Sequence, residues 1–300
     1  MVRTSEAPRG RRDFLKVAGG VAAAFATIKD TYGQAGSGSR AETATPTAQS
    51  RPNRQDQPMD RGLWISWYDL PDDGRQAYLS WLHETYIPGL LKRPGYLWAA
   101  HYASQEREVS TSSQFKHIDD PSVPTGYRYI LLIGAKDSHV FGSPVPSALH
   151  AKLPEQSRKM LAMRIGERVN IMVEAGRCQG PKAKVYKGGM TGAPCIQIGS
   201  FNCPVEYEEE MHAGYVQQRL PAMCESPSCI RTRKLNSAVG WAKHGILYEF
   251  ASLEGFNRDY PAAIARSPLG VGRHSVVPML IHAPNGPNSA LRMWPPVSKA

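Results

Sequence analysis

Residues 62–104 read GLWISWYDLPDDGRQAYLSWLHETYIPGLLKRPGYLWAAHYAS. The stretch up to Leu70 is apolar and aromatic and ends before Pro71, which predicts a strand. Asp72-Asp73-Gly74 is a turn and supplies a helix start. From Arg75 to Leu91, Tyr78, Leu79, Leu82, Tyr86, Ile87 and Leu90 recur at helical spacing. Pro94-Gly95 stops that helix, and Tyr96 to Ser104 is a second strand. Further on, Tyr127 to Gly134 predicts a third strand and residues 154–173 a second helix.

The order then recurs. Cys195 to Asn202 is a strand ending before Pro204, Val205 to Met223 a helix, Cys229 to Leu235 and Gly245 to Leu253 strands, and Asn257 to Ala265 a short helix. Pro71 and Pro94 return as Pro204 and Pro227, both 133 positions later, while Tyr78, His83 and Tyr86 match Tyr207, His212 and Tyr215 at 129. The second copy is read as having a loop four residues shorter and a helix four residues longer. Two copies of one unit are the natural source of such a pattern. Each is a ferredoxin-like βαββα repeat. Both faces of the first strand are apolar, Trp64, Ser66 and Tyr68 alternating with Leu63, Ile65 and Trp67. A sheet with one face in water shows a polar face instead. The expected fold class is therefore α+β: two antiparallel sheets face to face as an internal pseudo-dimeric barrel, helices outside.

The N-terminus carries an address. Gly10-Arg11-Arg12-Asp13-Phe14-Leu15-Lys16 resembles the twin-arginine targeting signal, and the Ala- and Gly-rich run from Val17 to Ile28 is too short for a stable membrane anchor. The expected organisation is a signal peptide over 1–35, a disordered linker over 36–60, a first repeat over 61–175, an inter-repeat linker over 176–194, a second repeat over 195–268 and an extended C-terminal arm over 269–300. The expected location is the bacterial periplasm or exterior, with the twin-arginine export machinery as a partner. The formal charge is +10, and residues 1–35 hold six Lys/Arg against three Asp/Glu, so about +7 remains beyond them. Scattered basic residues and export both speak against nucleic acid. Of the five cysteines, Cys224 with Cys229 and Cys195 with Cys203 are candidate disulfide pairs and Cys178 is left over. Cysteine and histidine spacing suggests no metal site.

Trp81, Ile87, Pro88, Leu91 and Pro94-Gly95-Tyr96 resemble the EthD-like branch of the dimeric α+β barrel superfamily, over about twenty residues. The resemblance implies the barrel fold. It leaves activity open, because the superfamily includes cofactor-free oxygenases, isomerases, cyclases, haem-dependent enzymes and members without demonstrated catalysis. The branch's characteristic histidine position is Tyr86 here and Tyr215 in the second copy. A tyrosine is chiefly a hydrogen-bond donor near neutral pH, so a histidine mechanism does not transfer.

The candidate catalytic residues are His83, Tyr86 and His101, a histidine base beside a tyrosine donor. Trp67, Tyr78, Trp98, Tyr102, Arg128, Tyr129, His212, Tyr215 and Arg231 are the candidate ligand-binding residues, lining an aromatic cavity between the sheets that favours small aromatic or anionic-aromatic molecules. The expected function is acid–base chemistry on such a molecule without a cofactor, as an isomerase, lyase or oxygenase. The alternatives are a non-catalytic binding or accessory protein of an exported redox enzyme, and a haem-binding barrel. Gly255-Phe256-Asn257-Arg258-Asp259 distantly matches a dye-decolorising peroxidase motif but has Tyr260 where a glycine is required. Homo-oligomerisation is left open. If the address is read by the twin-arginine route, changing Arg11 and Arg12 together to Lys leaves the protein in the cytoplasm on cell fractionation; unchanged delivery to the periplasm would refute it.

Overall fold

The computed structural model describes residues 60–105, 115–184, 192–267, 269–271 and 274–297. The targeting motif and most of the linker lie outside the described residues. Eight strands close a barrel: β1 (Gly62–Asp69), β2 (Tyr96–Ser104), β4 (Tyr129–Ala135), β5 (Ile165–Gln179), β6 (Cys195–Asn202), β7 (Cys229–Val239), β8 (His244–Phe250) and β12 (Asn288–Trp294). Their order is β12-β2-β4-β1-β5-β7-β8-β6, and β6 pairs back onto β12. Every neighbouring pair in this ring is antiparallel. The short strands β11 (Ile281–His282) and β3 (Lys116–His117) extend it beyond β6. The fold is the expected α+β barrel, with helices packed on its outer face.

From the first strand to the second, the two copies superimpose in sequence without a gap. Gly62 and Cys195 start strands, Arg75 and Glu208 start helices, Leu82 and Tyr215 start π-helical turns, and Tyr96 and Cys229 start the next strands, all 133 positions apart. Even the irregularities correspond, the Tyr96/Trp98 bulge against β4 returning as Cys229/Arg231 against β8. This corrects the expectation of a shorter loop and a longer helix in the second copy. The matches at 129 are not structural equivalents: His83 corresponds to Val216, Tyr86 to Arg219 and Trp81 to Gly214. The Ile87-Pro88 step survives as Leu220-Pro221. Its proline explains the π turns. Pro88 has no N–H for the fourth carbonyl back, and the Ile87 N–H bonds Leu82 O, five back, as the Leu220 N–H bonds Tyr215 O.

Two further expectations are corrected. The helix expected over 154–173 ends at Leu161, and Ile165–Gln179 is a strand of 15 residues. Gly166, at φ 58 inside the strand, has a conformation that a continuous helix does not allow, and Ile165, Val169, Ile171 and Val173 are β-branched residues suited to a pleated surface. The segment expected as a C-terminal arm supplies the eighth strand, β12. Strands β5 and β12 each bridge the two copies, β5 pairing with β1 and β7 and β12 with β6 and β2.

The barrel lumen is core, not an open cleft. Leu63, Ile65, Trp67, Trp98, Ala100, Tyr102, Ile130, Leu132, Met172, Ile196, Ile198, Leu235, Leu247 and Ala290 form one buried cluster. Charges join it at one end. Asp60, fully buried, accepts from Arg177 at 2.6 Å, Arg233 at 2.8 Å and the Trp98 indole at 3.0 Å. Glu249 accepts from Arg231 at 2.8 Å and Arg233 at 3.2 Å. Gly134 is required beneath Trp98, since a Cβ there would fall 2.2 Å from the indole. Its second-copy counterpart is Glu249, paired with Arg231, the counterpart of Trp98. All five cysteines carry free thiols, and no described helix is long and apolar enough to cross a membrane.

Candidate functional site

The strand alternation that sends Trp67, Trp98 and Tyr102 into the lumen turns Tyr68 and His101 outward, under the first-copy helix. There the π turn presents His83. His83 Nε2 lies 2.9 Å from His101 Nδ1, and His101 Nε2 lies 2.9 Å from the Tyr68 hydroxyl. Tyr68 is hydrogen-bonded in turn to Tyr78, and Arg164 Nε donates to the Tyr78 hydroxyl at 2.6 Å. Tyr68 and His101 are fully buried, whereas His83 is half-buried and is the outer end of the line.

Phenol and imidazole each donate and accept, so the direction of the line depends on the tautomers, and one continuous order runs from Arg164. Arg164 can only donate. The Tyr78 oxygen accepts there, and its own proton goes to Tyr68. Tyr68 then donates to His101 Nε2, and His101 Nδ1–H donates to His83 Nε2. In this order His83 carries its proton on Nδ1. Both imidazoles are held neutral: burial lowers the His101 pKa well below the usual value, with His83 and Arg164 adding to the effect, and burial lowers that of His83. Burial also raises the Tyr68 phenol. The Arg164 guanidinium lies 4.5 Å from the centroid of the Tyr68 ring and is neutralised by Glu167. Tyr129 stacks on His101 at 5.6 Å and Trp294 on His83 at 6.1 Å.

Of the residues singled out in the sequence, His83 and His101 are therefore brought together, 18 positions apart in the chain. Tyr86 is not part of their line; its hydroxyl sits 2.6 Å from His150 Nε2. Burial, then Arg164, lowers the pKa of His150 to about 4. Tyr78 and Tyr129 flank the line. Trp67, Trp98, Tyr102 and Arg231 belong to the packed lumen, and Arg128 and His212 are exposed. Sequence reasoning missed Tyr68, Arg164, His150 and Trp294. For Tyr68 the signal was available, since alternation places it on the same outward side as His101.

The second copy has a different chemistry at the same positions. Phe201 replaces Tyr68, Val216 replaces His83 and Lys234 replaces His101. Lys234 Nζ donates to Leu235 O at 3.0 Å and Asn236 Oδ1 at 3.1 Å, and lies 3.2 Å from His244 Nδ1. Burial lowers the Lys234 amine to about 7 and the His244 imidazole to about 4. A cavity of about 50 Å³ lies between helix and sheet in this copy, with Tyr215 in its wall. Among the described residues no group of three or more His, Cys, Asp or Glu is placed to hold a metal ion.

No family model and no curated protein matches the chain. Solved structures do. An anthrone oxidase-like protein is similar at 9% identity over 78% of this chain and 91% of its own, with a TM-score of 0.47. A putative monooxygenase from Lactobacillus acidophilus is similar at 8% identity over 77% and 94%, TM-score 0.43. A chlorite dismutase from Candidatus Nitrospira defluvii, in complex with imidazole, is similar at 11% identity over 78% and 91%, TM-score 0.44. These are likenesses of fold alone.

The expectation of a site without a cofactor is corrected here. Among the similar structures are a chlorite dismutase in complex with imidazole and a mutant chlorite dismutase in complex with cyanide. The helix–sheet spaces of the two copies do not fit a haem macrocycle. Trp64, Tyr68, Tyr78, Tyr86 and Phe141 fill the helix–sheet space of the first copy, and the 50 Å³ of the second falls far below the roughly 300–1,000 Å³ of a site for a large organic ligand.

The lowered histidines make stability depend on pH. Their unfolded-state pKa is about 6.5, so below that value the unfolded chain binds protons that the folded chain refuses. Stability should be full above pH 6.5 and decline as pH falls towards about 4, where His150 and His244 protonate in the fold. Urea denaturation at pH 7 and pH 5 should show the loss, and His150→Gln should reduce it; identical unfolding free energies at the two pH values would contradict these assignments.

Proposed function

We propose that this protein is an enzyme, delivered to the bacterial periplasm or exterior by the twin-arginine route, that transfers a proton to or from a small aromatic or anionic-aromatic molecule at His83. The observation that carries the reading is the line His83–His101–Tyr68, with two 2.9 Å hydrogen bonds from the surface into the core.

With the protons in this order, His83 faces outward with Nδ1–H as an acid and donor, suited to a phenolate, carboxylate or enolate. As that proton leaves for the substrate, His83 Nε2 takes one from His101 Nδ1, and His101 Nε2 takes the Tyr68 proton. The phenolate left behind lies beside the Tyr78 hydroxyl and the Arg164–Glu167 pair, against the pull of burial, and is short-lived until a proton returns along the line. Reversed, the same line accepts a proton. Buried neutral groups avoid holding an isolated charge between turnovers, and Trp294, stacked on His83, offers an aromatic face to an aromatic substrate.

The test uses hydroxybenzoates and phenylpyruvate as probes for turnover and for proton exchange with solvent. His83→Ala should lower the rate by about 10²–10⁴-fold with little change in thermal midpoint, Tyr68→Phe should lower it less, and His212→Ala should leave it unchanged. Binding without turnover would favour a non-catalytic binding protein. Equal small effects of His83→Ala and His212→Ala would remove His83 from the chemistry.

A further inference from the structure

We propose that the second copy holds a separate binding site for a small planar monoanion, a carboxylate or inorganic oxyanion of three or four heavy atoms, centred on Arg219. Arg219 occupies the last position of the second π turn, where the first copy has Tyr86, and is only 6% exposed. Its Nε donates to Ser267 O at 2.9 Å and Ser267 Oγ at 2.8 Å, its Nη2 donates to Ser267 O, and the Tyr248 hydroxyl bonds the guanidinium. All these partners are neutral.

That sets Arg219 apart. The buried guanidinium groups of Arg164, Arg177, Arg231 and Arg233 each have a carboxylate within ion-pair distance, and among the described residues Arg219 has none. Arg168 also lacks one, but it is wedged in the packed lumen with the Trp67 ring 3.9 Å from its carbon. Arg219 instead lines a cavity. A buried charge without a counter-charge is costly, and an anion entering that space would supply the counter-charge and accept from the guanidinium N–H groups that Ser267 leaves over.

The cavity has a cause in the sequence. Gln197 and Gly199 stand where the first copy has Trp64 and Ser66, so the volume that the Trp64 indole fills in one copy is open in the other. It measures about 50 Å³ and is walled by Phe201, Tyr215, Ile246 and Tyr248. One water needs about 10–15 Å³ by the same measure, so three or four heavy atoms fit. That admits formate, nitrite or acetate and excludes benzoate. The aromatic walls offer no competing anion.

The experiment is calorimetric titration and thermal unfolding of the full chain with formate, acetate, nitrite and benzoate, with chloride at matched ionic strength as control. Saturable binding of at least one of the three small anions is expected, with no saturable response to benzoate or chloride. Arg219→Gln should weaken it by about tenfold or more. Gln197→Trp restores the first-copy indole, leaves Arg219 in place and should abolish binding by filling the space; it carries the test if Arg219→Gln does not fold. No saturable response to any small anion, an equal response to chloride, or undiminished binding by Gln197→Trp would overturn the proposal. Turnover at His83 is measured independently, so either result stands without the other.

Discussion

The interaction on which the structure depends is the ion network that links the two copies inside the barrel. Asp60 precedes the first strand of the first copy, while Arg231, Arg233 and Glu249 belong to the second. Arg177, from the bridging strand β5, joins them through both Asp60 and Glu174. Each charge of this network has at least one opposite partner, which low-dielectric surroundings favour. Opposing charges lower the pKa of both Asp60 and Glu249 against the pull of burial, so both stay ionised. This network, Arg168 and the apolar cluster pack the lumen with side chains. The candidate site lies outside it, in the space between helix and sheet.

Those outer spaces are where the copies part company. The backbone repeats without a gap through strand, helix, π turn and strand, so equivalent positions can be compared directly. One copy places tyrosine, histidine and histidine in a hydrogen-bonded line that reaches the surface. The other places phenylalanine, lysine and valine there, which breaks the line, and opens a small cavity beside an uncompensated arginine. A shared barrel with two independent outer faces lets each diverge without disturbing the core that holds both.

Much of the architecture was legible in the sequence, for physical reasons. Apolar strands on both faces demanded a second sheet, and Pro71/Pro204 with Pro94/Pro227 marked equivalent chain reversals. The 129-position matches misled because they paired side-chain types along helices whose turns are set by Pro88 and Pro221. Residues 165–173 misled because β-branched apolar residues satisfy helical spacing as readily as strand alternation over a short run. At the site, His83 and His101 were recognisable as polar exceptions on apolar elements. Their mutual bond was not, since it depends on the register of β2 beside β4 and on the π turn above it. The lumen network was hidden for a similar reason: Asp60 gains its meaning only when β5 and β7 close the barrel around it.

The central claim, that the lumen is a structural core and function lies outside it, is tested most directly by Asp60→Asn. The substitution keeps the shape and leaves Arg177 and Arg233 short of a charge. The account predicts a loss of about 3–5 kcal/mol in the unfolding free energy, with turnover per folded molecule unchanged. A variant as stable as the parent would contradict the structural role of the network, and one that folds normally and loses its activity would place the working chemistry inside the barrel.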